Sequence, residues 1–206
     1  MRPPLRDLLN FLGRRLEGGA LVVYGEAGSL RTRIALLLCA EHRPALYIGA
    51  GRHSRVGRGP EGVTIYPTRS FYEELLKVTE VVGLCRAGAV RLVAIDEFLA
   101  NLVPYRASLS EAYIGRMALA EVELLGMARD GGCKVVLVCA EDRRRGAPLA
   151  LRVIRQLKPR LVRVEAEEGV LVAEERELGD PSVSLGRYEA PLDDVVSVIS
   201  EALGYA

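Results

Sequence analysis

The chain has no tryptophan, only three lysines and almost no net charge. Acidic and basic side chains nearly balance over the 206 residues, so the formal net charge is +1. A basic coat that would hold nucleic acid without specificity is therefore absent. Any binding of nucleic acid has to come from a local patch of arginine.

Long hydrophobic runs are also lacking. No apolar run approaches the roughly 18 residues that a membrane-spanning helix needs. The first seven residues, Met1–Asp7, are charged and lack the apolar region of a signal peptide. We therefore expect a cytoplasmic protein without a membrane partner. The length fits a single domain that spans residues 1–206.

Cysteine pairs of the C-x-x-C type are absent as well. Cys39 and His42 form the one close Cys/His pair, and no second pair completes a metal site. Cys39 and the other three cysteines, Cys85, Cys133 and Cys139, lie in apolar stretches. This placement predicts four reduced cysteines in the core and no Cys/His metal site.

Short apolar runs alternate with helical patterns along most of the chain. The predicted strands of this part are 20–24, 45–48, 63–66, 91–97 and 134–140. Strands that alternate with helices predict an α/β fold, with a mainly parallel sheet and helices on both faces. Two later strands, 161–166 and 170–174, are joined through a glycine turn. They predict a C-terminal antiparallel hairpin that extends the sheet, with a third strand near 182–188.

Two helix starts have the spacing of a capping box, in which side chains satisfy free backbone N–H groups. The first is Ser70–Glu73 and the second is Ser108–Glu111. The second is predicted to open a long helix that ends at Asp130-Gly131-Gly132. Helical spacing predicts that Tyr113, Met117, Ala120, Leu124 and Met127 lie on one face of this helix.

The stretch Leu21–Thr32 has the layout of a phosphate-binding P-loop: a buried strand, a glycine-bearing turn and the start of a helix. The P-loop pattern is G-x-x-x-x-G-K-[ST]. Gly25 stands at the first glycine and Thr32 at the hydroxyl, while Leu30 replaces the second glycine and Arg31 the lysine. The predicted nucleotide-contacting residues of the loop are Gly25, Glu26, Ala27, Gly28, Ser29, Leu30, Arg31 and Thr32.

A second part of the predicted site lies at the ends of other strands. Ligands of parallel sheets bind at the carboxyl ends of the strands. Gly25, Gly49, Asp96 and Glu141 all fall at such ends, so we expect them to converge. If a nucleotide binds, Thr32 and Asp96 are the expected magnesium-holding residues.

The order of these motifs resembles the ATPase core of archaeal RadA and RadB recombinases, which belong to the RecA/KaiC superfamily. The resemblance covers nearly the whole chain. It is carried by Leu8–Gly19, Tyr24–Ser29, the strand ending at Ile48, Ile95-Asp96, the helix after Ser108 and the strand ending at Ala140. It implies a RecA-like P-loop NTPase core, ATP with magnesium as cofactor, and a role in homologous recombination or DNA repair.

The same resemblance shows three losses. Leu30 and Arg31 alter the phosphate loop, and Gly49-Ala50-Gly51 stands where the family carries the carboxylate that activates water. Glu141 occupies the position of the family's glutamine sensor. These changes predict weak or absent ATP hydrolysis, with Glu97 as a candidate substitute for the missing catalytic carboxylate. Two readings of the loop remain open beside this one: a corner without any ligand, and a working ATPase.

The family's two DNA-facing loops match Asn101–Ala107, which contains Arg106, and Glu141–Gly146. The second loop holds three adjacent arginines, Arg143, Arg144 and Arg145. We expect these side chains to contact backbone phosphates of DNA, preferably single-stranded. The alternative is a solvated loop whose charges cancel against its own acids. A weaker candidate loop holds Arg52, Arg55 and Arg58.

The expected function is that of an accessory or mediator protein, a paralog of the recombinases. It would bind DNA and either a RadA-like recombinase or another paralog. No Phe-x-x-Ala segment is present, so we expect no autonomous filament. Two alternatives remain: a DNA-dependent ATPase of the RadB type in which Arg31 replaces lysine, and a structural partner derived from a KaiC-like ATPase that does not act on DNA.

Overall fold

The structure is a computed structural model that describes residues 3–50 and 59–204. Its strands are β1 Ala20–Gly25, β2 Ala45–Ala50, β3 Val63–Thr68, β4 Leu92–Asp96, β5 Lys134–Asp142, β6 Ala147–Pro148, β7 Arg160–Glu167, β8 Val170–Arg176 and β9 Ser184–Pro191. Its helices are α1 Pro3–Leu16, α2 Arg31–Glu41, α3 Phe71–Arg86, α4 Glu111–Asp130, α5 Leu151–Ile154 and α6 Leu192–Leu203. Two 3₁₀ segments, Ala100–Ala107 and Arg155–Leu157, connect them. The weaker arginine candidates Arg52, Arg55 and Arg58 lie outside the described residues.

The strands form one sheet in the order β3-β2-β4-β5-β1-β7-β8-β9, with the short β6 paired to β5. Pairing is parallel from β3 through β7, and β8 and β9 continue the sheet antiparallel. The predicted mainly parallel sheet with a C-terminal antiparallel extension is therefore confirmed. The register sets Gly25 beside Ala140 and Gly49 beside Asp96, so these strand ends are level.

Helices cover both faces of the sheet, because the central strands are apolar on both sides. In β1, Leu21 and Val23 face α1, α2 and α6. The alternate residues Val22 and Tyr24 face α3, α4 and α5. The carboxyl ends of β1, β4 and β5 therefore form one rim between the two helical layers.

The two predicted capping boxes have different outcomes. At α3 the prediction is confirmed, since Ser70 Oγ accepts the Glu73 N–H at 3.2 Å. At α4 the predicted start is wrong, because the cap is Ser110, whose Oγ accepts the Tyr113 N–H at 3.3 Å. Ser108 instead donates its hydroxyl to the Tyr105 carbonyl, at the end of the 3₁₀ segment. That segment occupies the residues that the sequence assigned to a loop and delays the start of α4.

The apolar face predicted for α4 is only partly buried. Tyr113 is 53% exposed and Met127 is 42% exposed. The buried residues of this helix are Ala118, Glu121, Val122, Leu125 and Ala128. Two of them are alanines, which let α4 approach its neighbours closely, while Tyr113 and Met127 remain at the margin of the buried face.

The cysteines are only partly as predicted. Cys39 and Cys139 are buried free thiols. Cys85 and Cys133 form a disulfide, with their Cα atoms 5.5 Å apart, so the prediction of four reduced cysteines is wrong. The pair is separated by 48 residues in sequence, and it meets because α3 and α4 end side by side at one end of the sheet.

Between residues 3 and 204, leaving out 51–58, no helix is both long and apolar enough to cross a membrane.

Candidate functional site

The turn after β1 keeps the backbone course that the P-loop pattern predicts. β1 ends at Gly25, and α2 begins at Arg31. A side chain at position 25 would not fit, because its Cβ would lie 2.1 Å from the carbonyl oxygen of Val164 in β7. Gly28 has φ +87° with open space around it. The first glycine is thus required by the neighbouring strand, whether or not a ligand binds.

Leu30 adopts the backbone conformation of a glycine. Its φ is 63°, in the left-handed region that is costly for a branched side chain. The side chain packs against the core between the sheet and α1, α2 and α6, so it does not fill the hollow of the turn. The Leu30 carbonyl accepts the Ile34 N–H at 2.9 Å and opens α2. The loop therefore keeps its path at a local conformational cost.

Arg31 points into the protein. The side chain is 8% exposed, and its Nη1 donates to the carbonyl oxygen of Cys139 in β5. Its Nη2 lies 3.5 Å from Oε1 of Glu97. The positive charge that would meet a phosphate group is thus neutralised by a carboxylate of the same chain.

Thr32, Asp96 and Tyr47 form a closed hydrogen-bonded group at the end of β4. Thr32 Oγ1 lies 3.1 Å from both carboxylate oxygens of Asp96. The Tyr47 hydroxyl donates to Oδ2, and the Glu97 N–H donates to Oδ1 at 3.1 Å. Burial raises the pKa of the Asp96 carboxyl, while these hydrogen bonds lower it in part. The P-loop and strand-end patterns predict Thr32 and Asp96 but not Tyr47.

The position of Tyr47 in the sequence does indicate a buried hydrogen bond. Tyr47 stands in the middle of an otherwise apolar strand, and a buried tyrosine hydroxyl usually finds a partner. Burial and the adjacent Asp96 carboxylate raise the pKa of Tyr47, so its hydroxyl stays protonated and acts as a donor.

Glu97 lies beside the predicted nucleotide site, but its carboxylate is already paired with Arg31. Its φ is 52°, and Leu99 has φ 78°. Between them, the Phe98 N–H donates to the Val138 carbonyl at 2.8 Å, which draws the chain from β4 across β5. Such left-handed conformations in residues other than glycine cost of order 1–3 kcal/mol each. They fix the Glu97 carboxylate near Arg31, where it serves as the partner of a cation.

Glu141 does not join the group around Asp96. Its Oε1 lies 2.9 Å from Nη2 of Arg163, which also pairs with Glu165 at 2.5 Å. Arg163 belongs to β7, on the side of β1 away from β5. Of the four strand ends expected to converge, those at Gly49 and Asp96 are adjacent, while Glu141 reaches across β1 toward β7.

A cavity of about 410 Å³ opens between the turn and the end of β7. Its lining residues are Glu26, Ala27, Gly28, Ser29, Arg163, Glu165, Ala166 and Glu167. Three of them are carboxylates, and the one arginine is already paired with two acids. The mouth of the loop therefore carries negative charge where a phosphate chain would approach. Ser29 Oγ, buried in this turn, has no hydrogen-bond partner among the described residues.

As arranged, these residues do not fit a magnesium-bound triphosphate. The turn, Thr32 and Asp96 provide the right frame, and Ser29 Oγ remains free to donate. However, the only cation of the loop is paired with Glu97, and the adjacent cavity is acidic. Among described residues, no group of three or more His, Cys, Asp or Glu side chains is placed to hold a metal ion.

The predicted DNA-contacting arginines lie at the same end of the sheet and are exposed. Arg143 Nε lies 3.1 Å from Glu26 of the turn, and Arg145 Nε lies 3.7 Å from Asp142. Ion pairs between exposed side chains contribute little, so they do not prevent these arginines from binding a phosphate. Arg106 is exposed at the end of the first 3₁₀ segment.

A second polar cluster is buried between α3 and α4. Glu74 accepts hydrogen bonds from Asn101 and, at 3.4 Å, from Thr68. The buried carboxyl group of Glu121 is its neighbour, and neither oxygen of Glu121 has a hydrogen-bond partner among the described residues. Burial, together with the neighbouring carboxyl, raises the pKa of Glu121 well above its usual range. The sequence does not predict this pair, because a glutamate on a helix usually lies on the exposed face.

These features define the class of the protein: an α/β fold whose mostly parallel sheet is flanked by helices, with a turn of P-loop type after its first strand. Fold and turn are consistent with a Rossmann-like or P-loop-like arrangement. The chain matches no protein-family model, and it matches no curated protein in sequence.

Proposed function

We propose that this protein is a RecA/RadA-type recombinase paralog that acts as an accessory or mediator in homologous recombination or DNA repair, with weak or no ATP hydrolysis. One observation supports the proposal of weak or absent ATP hydrolysis. The P-loop-like frame is intact, but its cation is bound to Glu97 and its would-be magnesium ligands bond to each other.

The reason is electrostatic. Phosphoryl transfer depends on cations placed around the phosphate oxygens and on a residue that orients the attacking water. Here the Arg31 side chain points away from the loop, and Glu97 is its ion-pair partner. The remaining acids at the mouth, Glu26 and Glu165, oppose the approach of a phosphate chain. A site of this kind supports a structural or switching role better than catalytic turnover.

The expected ligand at this end is single-stranded DNA, held by a local patch. Arg143, Arg144 and Arg145 follow β5, and Arg106 follows β4. Both segments leave the sheet at its carboxyl end, so a strand of DNA could contact both. Protein partners are expected to be a RadA-like recombinase or another paralog, and no filament of this chain alone is expected.

Calorimetry tests the nucleotide part of this proposal. The purified protein is titrated with Mg-ATP, and the titration is repeated with Thr32→Ala. Steady-state phosphate release is measured on both. We expect binding weaker than micromolar and equal, very slow release from both proteins. If the wild type releases phosphate much faster than Thr32→Ala, the proposal of weak or absent hydrolysis is wrong. That result would favour the DNA-dependent ATPase.

Fluorescence anisotropy with a labelled oligo-dT tests the DNA part. At low salt, Arg143→Ala/Arg144→Ala/Arg145→Ala should lose most of the affinity, because phosphate contacts dominate such binding. The matched control replaces three scattered exposed arginines, Arg69, Arg86 and Arg152, and removes the same charge. Equal affinity of the two triple variants would reject the patch.

A second candidate function follows from an exposed apolar groove. The groove, about 400 Å³, lies between α3, α4 and the first 3₁₀ segment and is lined by Phe71, Tyr72, Leu75, Tyr105, Tyr113, Arg116, Met117 and Ala120. Tyrosine, methionine and arginine are enriched at protein interfaces. This groove favours the alternative of a structural partner in a protein complex. Absence of DNA affinity, together with partners unrelated to recombination in a pull-down, would support that alternative.

A further inference from the structure

A second cluster of arginines lies at the opposite end of the sheet from the P-loop-like turn. Arg160 begins β7, and α1 ends at this same end before it leads into β1. Between them is a cavity of about 330 Å³ lined by Arg14, Arg15, Arg160, Glu175 and Leu185. The cavity is at the lower limit of the volumes typical of small-ligand sites.

Arg15 is held rigidly within this cluster. Its Nε lies 3.0 Å from Oε2 of Glu175, and its Nη1 donates to the Phe11 carbonyl at 2.8 Å. The guanidinium carbon stacks 3.6 Å from the centre of the Phe11 ring. A planar guanidinium fixed in this way is preorganised, so little conformational freedom remains to be lost on binding an anion.

The cluster keeps an excess of positive charge. Among the described residues, Glu175 is the only acid that lines the cavity, and its second oxygen, Oε1, lies 3.4 Å from Nη1 of Arg160. Three arginines against one glutamate leave a formal charge of about +2 around the cavity. Arg160 is 60% exposed at its side chain, and Arg14 is exposed, so both can turn toward a ligand.

Gly186 makes room for the cluster in the neighbouring strand β9. A Cβ at this position would lie 2.9 Å from Nη2 of Arg15. Within the described part of the chain, Nη2 forms no hydrogen bond, unlike the other two nitrogens of this guanidinium. The missing side chain at Gly186 thus lets Nη2 of Arg15 lie close to β9.

The helix dipole explains part of this arrangement. Arginines in the last turn of α1 interact favourably with its negative end. That effect accounts for Arg14 and Arg15 as a pair, but Arg160 belongs to a strand, and Gly186 only clears space for a guanidinium. The convergence of the three arginines therefore needs another reason.

We infer that this cavity is a phosphate-binding site. Its guanidinium groups match the tetrahedral oxygens of a phosphate ester, which arginine binds through paired N–H donors. The phosphate could belong to the backbone of a nucleic acid or to a small phosphorylated compound. The site is separate from the P-loop-like turn and does not depend on the function proposed above.

The site is tested by binding to Arg14→Gln/Arg160→Gln. Both side chains are exposed, so the protein should fold, and Arg15 keeps its packing on Phe11. The matched control is Arg69→Gln/Arg152→Gln, which removes the same charge at two exposed positions outside both arginine clusters. Each protein is titrated with inorganic phosphate, followed by NMR of the Arg15 Nε–H and backbone signals, and with labelled oligo-dT at low salt.

We expect the Arg14/Arg160 variant to bind phosphate at least fivefold more weakly than the wild type, while the control binds it normally. A parallel loss for oligo-dT identifies the ligand as nucleic acid, and loss for phosphate alone identifies a small phosphorylated compound. Gly186→Ala keeps every charge but displaces Nη2, and it should also weaken binding. If the Arg14/Arg160 variant binds both probes as the wild type does, the inference is wrong.

Discussion

Arg31 and Glu97 form an ion pair, with 3.5 Å between Nη2 and Oε1, where the carboxyl end of β4 meets the start of α2. The arginine sits at the position of the phosphate-binding lysine. The glutamate follows the aspartate that would hold magnesium. The protein therefore supplies its own anion to the residue that would otherwise meet a phosphate.

The first prediction concerns this ion pair. Glu97→Gln removes the negative partner but keeps the size of the side chain. The charge of Arg31 is then uncompensated, so an anion in the turn should become more favourable. We expect Mg-ATP to bind at least fivefold more tightly than to the wild type in calorimetry. Glu177→Gln, an exposed substitution with the same charge change, is the control. Equal affinities in all three proteins would show that the ion pair does not restrict the loop.

The second prediction separates the two glycines of the turn. Gly25→Ala should destabilise the protein by more than about 4 kcal/mol, because the new Cβ would meet the Val164 carbonyl at 2.1 Å. In Gly28→Ala the new Cβ meets no atom within 4 Å. The remaining cost is that of the left-handed conformation, about 1–2 kcal/mol. Urea denaturation of both variants measures the difference. Similar losses would mean that β7 moves to accept the side chain.

The third prediction concerns the buried pair Glu74 and Glu121. Burial raises both pKa values, so the folded protein binds protons more tightly than the unfolded chain does. The stabilisation that this proton binding provides is fully present below about pH 4.3, the pKa of glutamate in the unfolded chain. It is lost as the pH rises through the pKa values of the folded protein. Glu121→Gln should therefore stabilise the protein at pH 8, by about 1–2 kcal/mol, and flatten the decline. Thermal unfolding between pH 4 and 8 measures this.

The control for this measurement lies on the same helix. Glu123 is exposed, so Glu123→Gln should leave the pH dependence of the wild type unchanged. A decline of equal slope in Glu121→Gln would place the titrating groups elsewhere in the protein.

The fourth prediction concerns the disulfide. Cys85→Ser/Cys133→Ser should lower the free energy of unfolding by about 4 kcal/mol, the value that loop-closure entropy gives for a separation of 48 residues. Reducing agent should lower the melting temperature of the wild type and have no further effect on the double variant. If the reductant changes neither protein, the bond does not constrain the unfolded chain.

Much of the fold could be predicted from local patterns. The alternation of short apolar runs with helical spacing gave the parallel strands, and the glycine turn at Glu167–Gly169 gave the antiparallel extension. Gly25, Leu30 and Thr32 marked the strand-turn-helix corner. These features depend on neighbours in sequence, so a single chain is enough to reveal them.

The contacts of the site could not be predicted, because they join residues far apart in sequence. The pairing of Arg31 with Glu97 depends on which rotamer the arginine adopts between β4 and β5. The buried face of α4 differs from its predicted apolar face for a related reason, since packing against other elements buries Glu121, Val122 and Leu125. The RadA resemblance is carried by motif order alone and stays a prediction.

The link between Cys85 and Cys133 also divides the polypeptide into two topological parts. Asp96, the first 3₁₀ segment and α4 lie inside the closed ring, while β1 with its turn and the strands β7 to β9 lie outside it. A single proteolytic cut at the exposed Ser108 would open the ring without releasing a fragment. The nicked protein would keep its full mass on a non-reducing gel and separate into two pieces only after reduction.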